Sequence, residues 1–254
     1  MMVSAVIIAA NKHYLAAIRC VICVGRRKLI LRIDELQMDN NNYTPPLGYK
    51  ALTPFYDLVI RYLTRESAWR SALVKQINPL PGDRILDVGC GTGSLLAVLA
   101  EQCPEADFIG LDPDIGALER ASKKLNSPNV RLIPGFLSKE AVPKGWQPTK
   151  ITSSLMFHQV ALEKKSEIAK IMRSLLIPDG ELHIADYAMQ KSPLMRAAFR
   201  MTVQQLDGVE DTKHNAEGIL EKILVAPGYL TEKTLSFPTA TGSISLFKAK
   251  FVAS

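Results

Sequence analysis

Nine residues constrain this chain more than any other stretch. Ile85-Leu86-Asp87-Val88 reads as a short buried strand that runs straight into Gly89-Cys90-Gly91-Thr92-Gly93, and Leu95, Leu96, Val98 and Leu99 then mark a helix. Glycines at alternate positions let the backbone take positive φ and leave bare amides at a helix N-terminus, where a ligand can lie against them. A second strand, Phe108 to Leu111, is followed at once by Asp112. Asp112 stands 19 residues beyond Gly93, the spacing at which such folds set a carboxylate against a ribose diol.

The alternation continues. Ile115, Leu118, Ala121 and Leu125 share a helical face, and Val130 to Ile133 and Ile151 to Leu155 read as strands three and four. Ile168, Ile171, Met172, Leu175 and Leu176 have the spacing of an amphipathic helix. Pro178-Asp179-Gly180 turns into a fifth strand, Leu182 to Ala185. Tyr229 to Phe237 and Ser243 to Phe251, joined by Pro238 to Gly242, read as a terminal hairpin. Repeated βαβ units imply a parallel sheet covered on both faces. The expected fold is therefore α/β: a seven-stranded, mostly parallel sheet with helices on both faces and an antiparallel C-terminal hairpin.

Composition excludes some roles. At 254 residues, 47% hydrophobic and 22% charged, the chain has an ordinary globular balance. The net charge of +6 is lopsided, because residues 1–37 carry six basic and two acidic side chains. The remainder is nearly neutral, which gives no footprint for nucleic acid. Four cysteines are too few for a disulfide framework and suit a reduced, cytoplasmic setting. Cys20 and Cys23 form a single CxxC without the further ligands that structural zinc needs, so no metal is expected. Lys12, His13 and Arg19 interrupt the apolar N-terminus, and no stable membrane span is expected. Residues 1–42 read as an N-terminal extension, with Met38 as an alternative natural start. Residues 43–80, rich in aromatics such as Tyr43, Tyr49 and Tyr56, read as a helical lid on a domain covering 43–254.

The glycine pattern is G-x-G-x-G, not the dinucleotide G-x-G-x-x-G, and Asp87 stands two positions before its first glycine. That carboxylate would repel a pyrophosphate and attract a cation. Its alternative role is to pin the loop by accepting backbone N–H bonds. Ile85 to Gly93, followed by Gly110-Leu-Asp-Pro-Asp114, resembles the class I S-adenosylmethionine-dependent methyltransferases. Ser153-Ser-Leu-Met-Phe-His158 and Leu176 to Asp186 resemble the small-molecule branch that contains the ubiquinone/menaquinone-biosynthesis methyltransferases, as do Tyr56-Asp57 and Trp69-Arg70. The resemblance implies a Rossmann-like fold and S-adenosylmethionine as cofactor, its ammonium end held by Asp87 directly or through water.

The same resemblance implies that the loop of Gly89, Cys90, Gly91 and Gly93 flanks the cofactor's methionine and ribose. Asp112 would accept both ribose hydroxyls and Pro113 would pack on adenine; an N-cap on the next helix is the less favoured role for Asp112 and compatible with the same geometry. No carboxylate follows strand three, so backbone around Phe136 and Leu137 would meet the adenine. Ser154 and Leu155 fall at the carboxyl end of strand four, which would set His158 beside the transferable methyl, and Tyr56 would reach over the cofactor or serve as plain aromatic packing. His158 would position or deprotonate an acceptor, or else cap a helix. His183 reads as a core histidine.

Residues Asp186 to Val225 form the expected acceptor side, with Met195, Phe199, Met201 and Gln204 lining a pocket to which Asp207, Thr212, His214 and Asn215 add polar groups. Ser192-Pro193 reads as a helix start. The expected activity is methylation of a small, apolar molecule at carbon, oxygen or nitrogen. The alternatives are a non-catalytic S-adenosylmethionine-binding protein and a nicotinamide-dependent oxidoreductase. Base N-methyltransferases commonly carry Asn-Pro-Pro-Tyr-like residues where this chain has Ser153-Ser-Leu-Met, so no nucleic-acid partner is expected.

Overall fold

The computed structural model describes residues 5–8, 19–24, 27–31, 63–125, 127–225 and 229–251. They fall in two compact units, residues 1–50 and 51–254. In the first, β1 (Ala5–Ile8), β2 (Arg19–Val24) and β3 (Arg27–Leu31) form an antiparallel sheet in that order. Both cysteines of the CxxC lie on β2. The tyrosines at 43, 49 and 56 and the lid segment up to residue 62 lie outside the described residues. Among the described residues no helix is long and apolar enough to cross a membrane.

The second unit begins with α1 (Glu66–Ile77), then alternates: β4 (Arg84–Val88), α2 (Ser94–Gln102), β5 (Asp107–Asp112), α3 (Ile115–Lys124), β6 (Val130–Pro134), β7 (Lys150–Ser154), a 3₁₀ turn at Phe157–Gln159, α4 (Leu162–Leu175) and β8 (Glu181–Tyr187). Four short helices follow, α5 (Pro193–Met201), α6 (Val203–Leu206), α7 (Val209–Ala216) and α8 (Ile219–Ile223), then β9 (Tyr229–Thr239) and β10 (Gly242–Phe251). The seven strands pair in the order β6-β5-β4-β7-β8-β10-β9. β4 to β8 are mutually parallel, whereas β10 runs antiparallel to both β8 and β9. Connectivity reverses between β4 and β7, the place where open α/β sheets leave a crevice at their carboxyl ends.

Alternation along each strand feeds two cores, since neighbouring side chains point to opposite faces. Ile85, Phe108 and Leu246 join Trp69, Leu73, Leu99 and Phe199 on one face. Leu86, Ile109 and Phe247 join Met172, Leu182 and Leu220 on the other. The Lys150–Asp83 ion pair, 2.7 Å and largely buried, fastens β7 to the approach to β4 at the end away from the crevice.

Two local expectations shift. The hairpin connection is two residues, Ala240-Thr241, rather than five, because β9 continues through Pro238. Proline is tolerated there because β9 is the sheet edge, where no partner requires its missing N–H. β7 stops at Ser154, and Leu155 takes φ of 53° instead of extending the strand. Residues 186–225, expected as the acceptor side, hold four short helices, and the expected helix start is present: Ser192 Oγ accepts from Met195 N at 3.1 Å with Pro193 in the first turn.

Candidate active site

The glycine loop is shaped from behind. Gly89, Gly91 and Gly93 have φ of 72°, 51° and 68°. Gly89 N and Cys90 N both donate to Leu111 O, at 2.8 and 3.2 Å. A Cβ on Gly89 would come within 2.7 Å of Met156 Cγ, whereas one on Gly91 would meet nothing within 4 Å. Gly89 thus allows the β4 and β7 ends to close on each other, and Gly91 keeps a face of the loop open. The Cys90 side chain packs into the core near Gly110 and burial raises its thiol pKa, so its peptide group, not its sulfur, is what it offers a ligand.

Asp112 ties this loop to the next turn. Its Oδ2 accepts from Gly91 N at 2.8 Å and its Oδ1 from Asp114 N at 2.9 Å. It does not cap α3: Asp114 is the N-cap and accepts from Ala117 N at 3.1 Å. Each carboxylate oxygen can accept a second bond, so a diol can still be met. Gly135 N donates to Asp112 O at 3.0 Å, drawing the loop after β6 alongside. On that loop Phe136 is 73% exposed while Leu137 packs partly into the core. Pro113 is half-buried.

Asp87 is the anomaly. It is fully buried, and among the described residues neither carboxylate oxygen accepts a hydrogen bond. It therefore does not pin the loop. Burial, reinforced by Asp112 and opposed by Arg70, pushes its pKa up to about 7. Its register partner on β7, Thr152, also buries a hydroxyl without a partner. On α1, Trp69 Nε1 and Arg70 Nε are buried donors without acceptors. Buried polar groups are nearly always satisfied, and an unpaired buried charge is costly. At the glycine loop itself the unmatched group is the Asp87 carboxylate, which a ligand with a cationic end would complete. Thr152 went unnoticed in the sequence; its only signal was its register opposite Asp87.

Ser154 and Leu155 close β7. Leu155 N donates to Ala185 O at 2.8 Å, which holds the left-handed residue in place. The structure thus brings Asp87, Gly89, Gly91, Gly93, Asp112, Pro113, Phe136, Leu137, Ser154 and Leu155 to the carboxyl ends of β4 to β7. Tyr56 lies outside the described residues.

His158 sits in the 3₁₀ turn beyond β7, 3% exposed. It does not cap α4, whose N-cap is Ala161. Its Nδ1 is 2.8 Å from Asp186 Oδ1 and its Nε2 is 3.5 Å from Asp207 Oδ2. Asp186 also accepts from Phe157 N and Tyr187 N, both at 2.7 Å. Burial disfavours the imidazolium, but Asp186 and then Asp207 outweigh it and raise the pKa to about 9. At neutral pH His158 is therefore a cation and a donor, not a free base. The Tyr187 ring lies edge-on to it at 5.1 Å.

Lys165 on α4 is wholly buried, its ammonium pushed down to about 8 by that burial. It donates to Val160 O and, at 2.7 Å, to Asp211 O, joining the histidine turn to α7. Asp186 as the histidine's partner and Lys165 as this tie were both missed in the sequence. Thr212 and Asn215 are buried and bond backbone carbonyls, Gly208 O and Tyr187 O. Met195 and Gln204 are half-buried, and Phe199 is buried against Tyr187. His214, partly exposed, faces Glu217 at 3.7 Å. Met201, expected to line a pocket, is instead 57% exposed. His183 is a core residue as expected, between Gln76 Nε2 at 3.2 Å and Glu181 Oε2 at 3.3 Å.

Residues 85–180 match a family model described as a methyltransferase domain. A ubiquinone/menaquinone biosynthesis C-methyltransferase of Syntrophotalea carbinolica is 27% identical over 174 residues, covering 63% of this chain and 70% of that protein. A demethylmenaquinone methyltransferase of Deinococcus radiodurans is 25% identical over 194 residues, 75% of this chain and 77% of its own. Among solved structures, a plantazolicin methyltransferase in complex with SAH superposes with a TM-score of 0.56 at 17% identity, over 79% of this chain and 89% of that one, a likeness of fold. Neither a nicotinamide-dependent enzyme nor a non-catalytic binder finds support among them. The methyltransferase-domain match over the segment that carries the glycine loop, with the relatives and the sheet built around that loop, supports a class I S-adenosylmethionine-dependent methyltransferase that resembles the ubiquinone/menaquinone-biosynthesis members.

Proposed function

We propose that this enzyme transfers the methyl group of S-adenosylmethionine to a small, apolar acceptor held between the glycine loop and helices α5 to α7. The observation that carries the proposal is Asp87, a buried carboxylate with no hydrogen bond beside three left-handed glycines. An α-ammonium supplies the missing charge, and Arg70, itself paired with Glu66, is the cation near enough to act on Asp87. Asp112 receives the ribose hydroxyls while Pro113 and the exposed Phe136 flank the base. The SAH bound in the plantazolicin methyltransferase and the quinone-pathway names of the relatives support this choice of cofactor and acceptor class.

The sulfonium brings a methyl carbon already activated for displacement. What remains for the chain is alignment and exclusion of water, and good alignment alone lowers a barrier by roughly 7–11 kcal/mol. Leu155 and Ser154 wall the reacting side. His158, held cationic by Asp186, faces Asp207 through Nε2 and positions that carboxylate toward the acceptor. Asp207, at 16% the most exposed side chain of the three, is the group open to take a proton. Residues 43–254 constitute the catalytic domain, with 1–42 as a dispensable extension. Buried free thiols at Cys90 and Cys103 suit a reducing cytoplasm.

Calorimetric titration of the full chain with S-adenosylmethionine and with NAD tests the cofactor. Binding of the first and not the second is expected; the reverse overturns the proposal. Transfer of label from methyl-labelled S-adenosylmethionine into apolar metabolite extracts then tests turnover.

A further inference from the structure

Helix α5 carries a feature that methyl transfer does not use. Its inner face is settled, since Phe199 is buried and meets the Tyr187 ring at 5.1 Å, and Tyr187 meets His158 at 5.1 Å. Its outer face is apolar and bare. Leu194 is 80% exposed and Met201 57%, with exposed Ala197 between them. At about 100° per residue these three positions fall within an arc of about 60°, so they form one stripe. The charges of the segment itself have one sign: Lys191 just ahead of the helix and Arg196 and Arg200 on it are all exposed, and no Asp or Glu occurs from Tyr187 to Leu206, the nearest acidic groups being Glu210 and Asp211 on the neighbouring α7.

We propose that this face docks the protein on an anionic bilayer, with Leu194, Ala197 and Met201 entering the headgroup–acyl boundary and the three basic residues meeting lipid phosphates. Charge complementarity selects the occupant, because an apolar stripe flanked on one side by Arg200 and then Arg196, and at its start by Lys191, matches an anionic lipid surface. A protein partner fits less well: the stripe is convex and narrow and lacks the aromatic anchors that centre such interfaces. The helix is nine residues long, far short of a span, so docking is peripheral. If the acceptor is apolar, as proposed above, it partitions into that bilayer, and the docking helix lies two ring contacts from His158. That benefit rests on the methyl-transfer proposal; the docking itself does not.

The test is co-sedimentation of the full chain with phosphatidylcholine vesicles and with vesicles of phosphatidylcholine and phosphatidylglycerol at about 3:1. Wild type, Leu194→Glu and the double variant Lys191→Ser/Arg200→Ser are compared. Arg196 is left alone because its Nε donates to Gln190 O at 2.9 Å. Wild type is expected to partition onto the anionic vesicles only, and each variant to lose at least about tenfold, with melting temperature and S-adenosylmethionine affinity unchanged. A Leu194→Trp variant should show a blue-shifted emission on adding the anionic vesicles.

Absence of wild-type binding at low salt overturns the proposal. So does undiminished binding by both variants, which would move the attraction to the basic residues near the N-terminus. A wild-type dimer by light scattering that Leu194→Glu dissociates also overturns it, by giving the face to a second copy of the chain. Failure of S-adenosylmethionine binding with vesicle binding intact would sink the cofactor assignment and leave the docking standing.

Discussion

His158 Nδ1 lies 2.8 Å from Asp186 Oδ1, while its other nitrogen faces Asp207 at 3.5 Å. Both ends of one imidazole are thus committed to carboxylates, and its pKa stands at about 9 against an ordinary 6.5. A group whose folded pKa exceeds its unfolded value stabilises the fold while protonated. The contribution is fully present below pH 6.5 and is lost as pH rises through 9. Its size is of the order of 3 kcal/mol. Thermal melts of wild type should therefore fall between pH 6.5 and 9.5. His158→Gln should be less stable at pH 6 and should lose most of that slope; an unchanged slope would remove the charge assignment.

Asp87 makes the opposite kind of prediction, in which removing a functional group stabilises the protein. Its folded pKa is about 7 against 3.8, so its stabilising neutral form is complete below pH 3.8 and gone once pH passes 7. Above neutrality the cofactor-free fold carries an unpaired buried charge. Asp87→Asn should raise stability at pH 8 by about 2 kcal/mol, less than the full linkage because the amide is itself imperfectly satisfied. The same variant should bind S-adenosylmethionine at least tenfold more weakly. Because Asp87 must ionise to pair with an ammonium, wild type should release a proton on binding at pH 6 and almost none at pH 8.5. Calorimetry in buffers of differing ionisation enthalpy reads that proton directly, and Asp87→Asn should show none.

The glycines separate shape from contact. Gly89→Ala must accommodate a left-handed alanine whose Cβ starts 2.7 Å from Met156 Cγ. It should cost at least about 2 kcal/mol in denaturant unfolding. Gly91→Ala has the same backbone penalty of about 1 kcal/mol but no collision. It should remain folded and lose cofactor affinity out of proportion to stability. Equal effects of the two substitutions on stability would contradict the packing described for Gly89.

Much of this was legible in the sequence because it is local or periodic. The glycine loop, the strand alternation and the terminal hairpin are written in neighbouring residues, and the parallel order follows from βαβ chirality and connection rules. What was not legible depends on distant partners. Asp186 and Asp207 stand 28 and 49 residues beyond His158, and no spacing rule joins them. Lys165 reads as the solvent face of an amphipathic helix, yet α7 covers it and supplies a carbonyl. Asp114, not Asp112, caps α3, because the strand carries Asp112 two residues too far from the helix start and hands it the glycine loop instead.

That double engagement of Asp112 sets the last prediction. Its two oxygens hold the Gly91 and Asp114 amides, so the side chain proposed as the ribose ligand is also a structural tie. Asp112→Ala strands two part-buried N–H groups and should lose about 2 kcal/mol of stability together with nearly all S-adenosylmethionine binding. Asp112→Asn keeps one acceptor oxygen at similar shape. It should recover part of the stability but little of the affinity, since one amide oxygen cannot meet two hydroxyls. Calorimetry paired with urea unfolding resolves the two roles. Affinity that recovers in step with stability in the Asn variant would reduce Asp112 to a loop tie and take the ribose contact out of the proposed site.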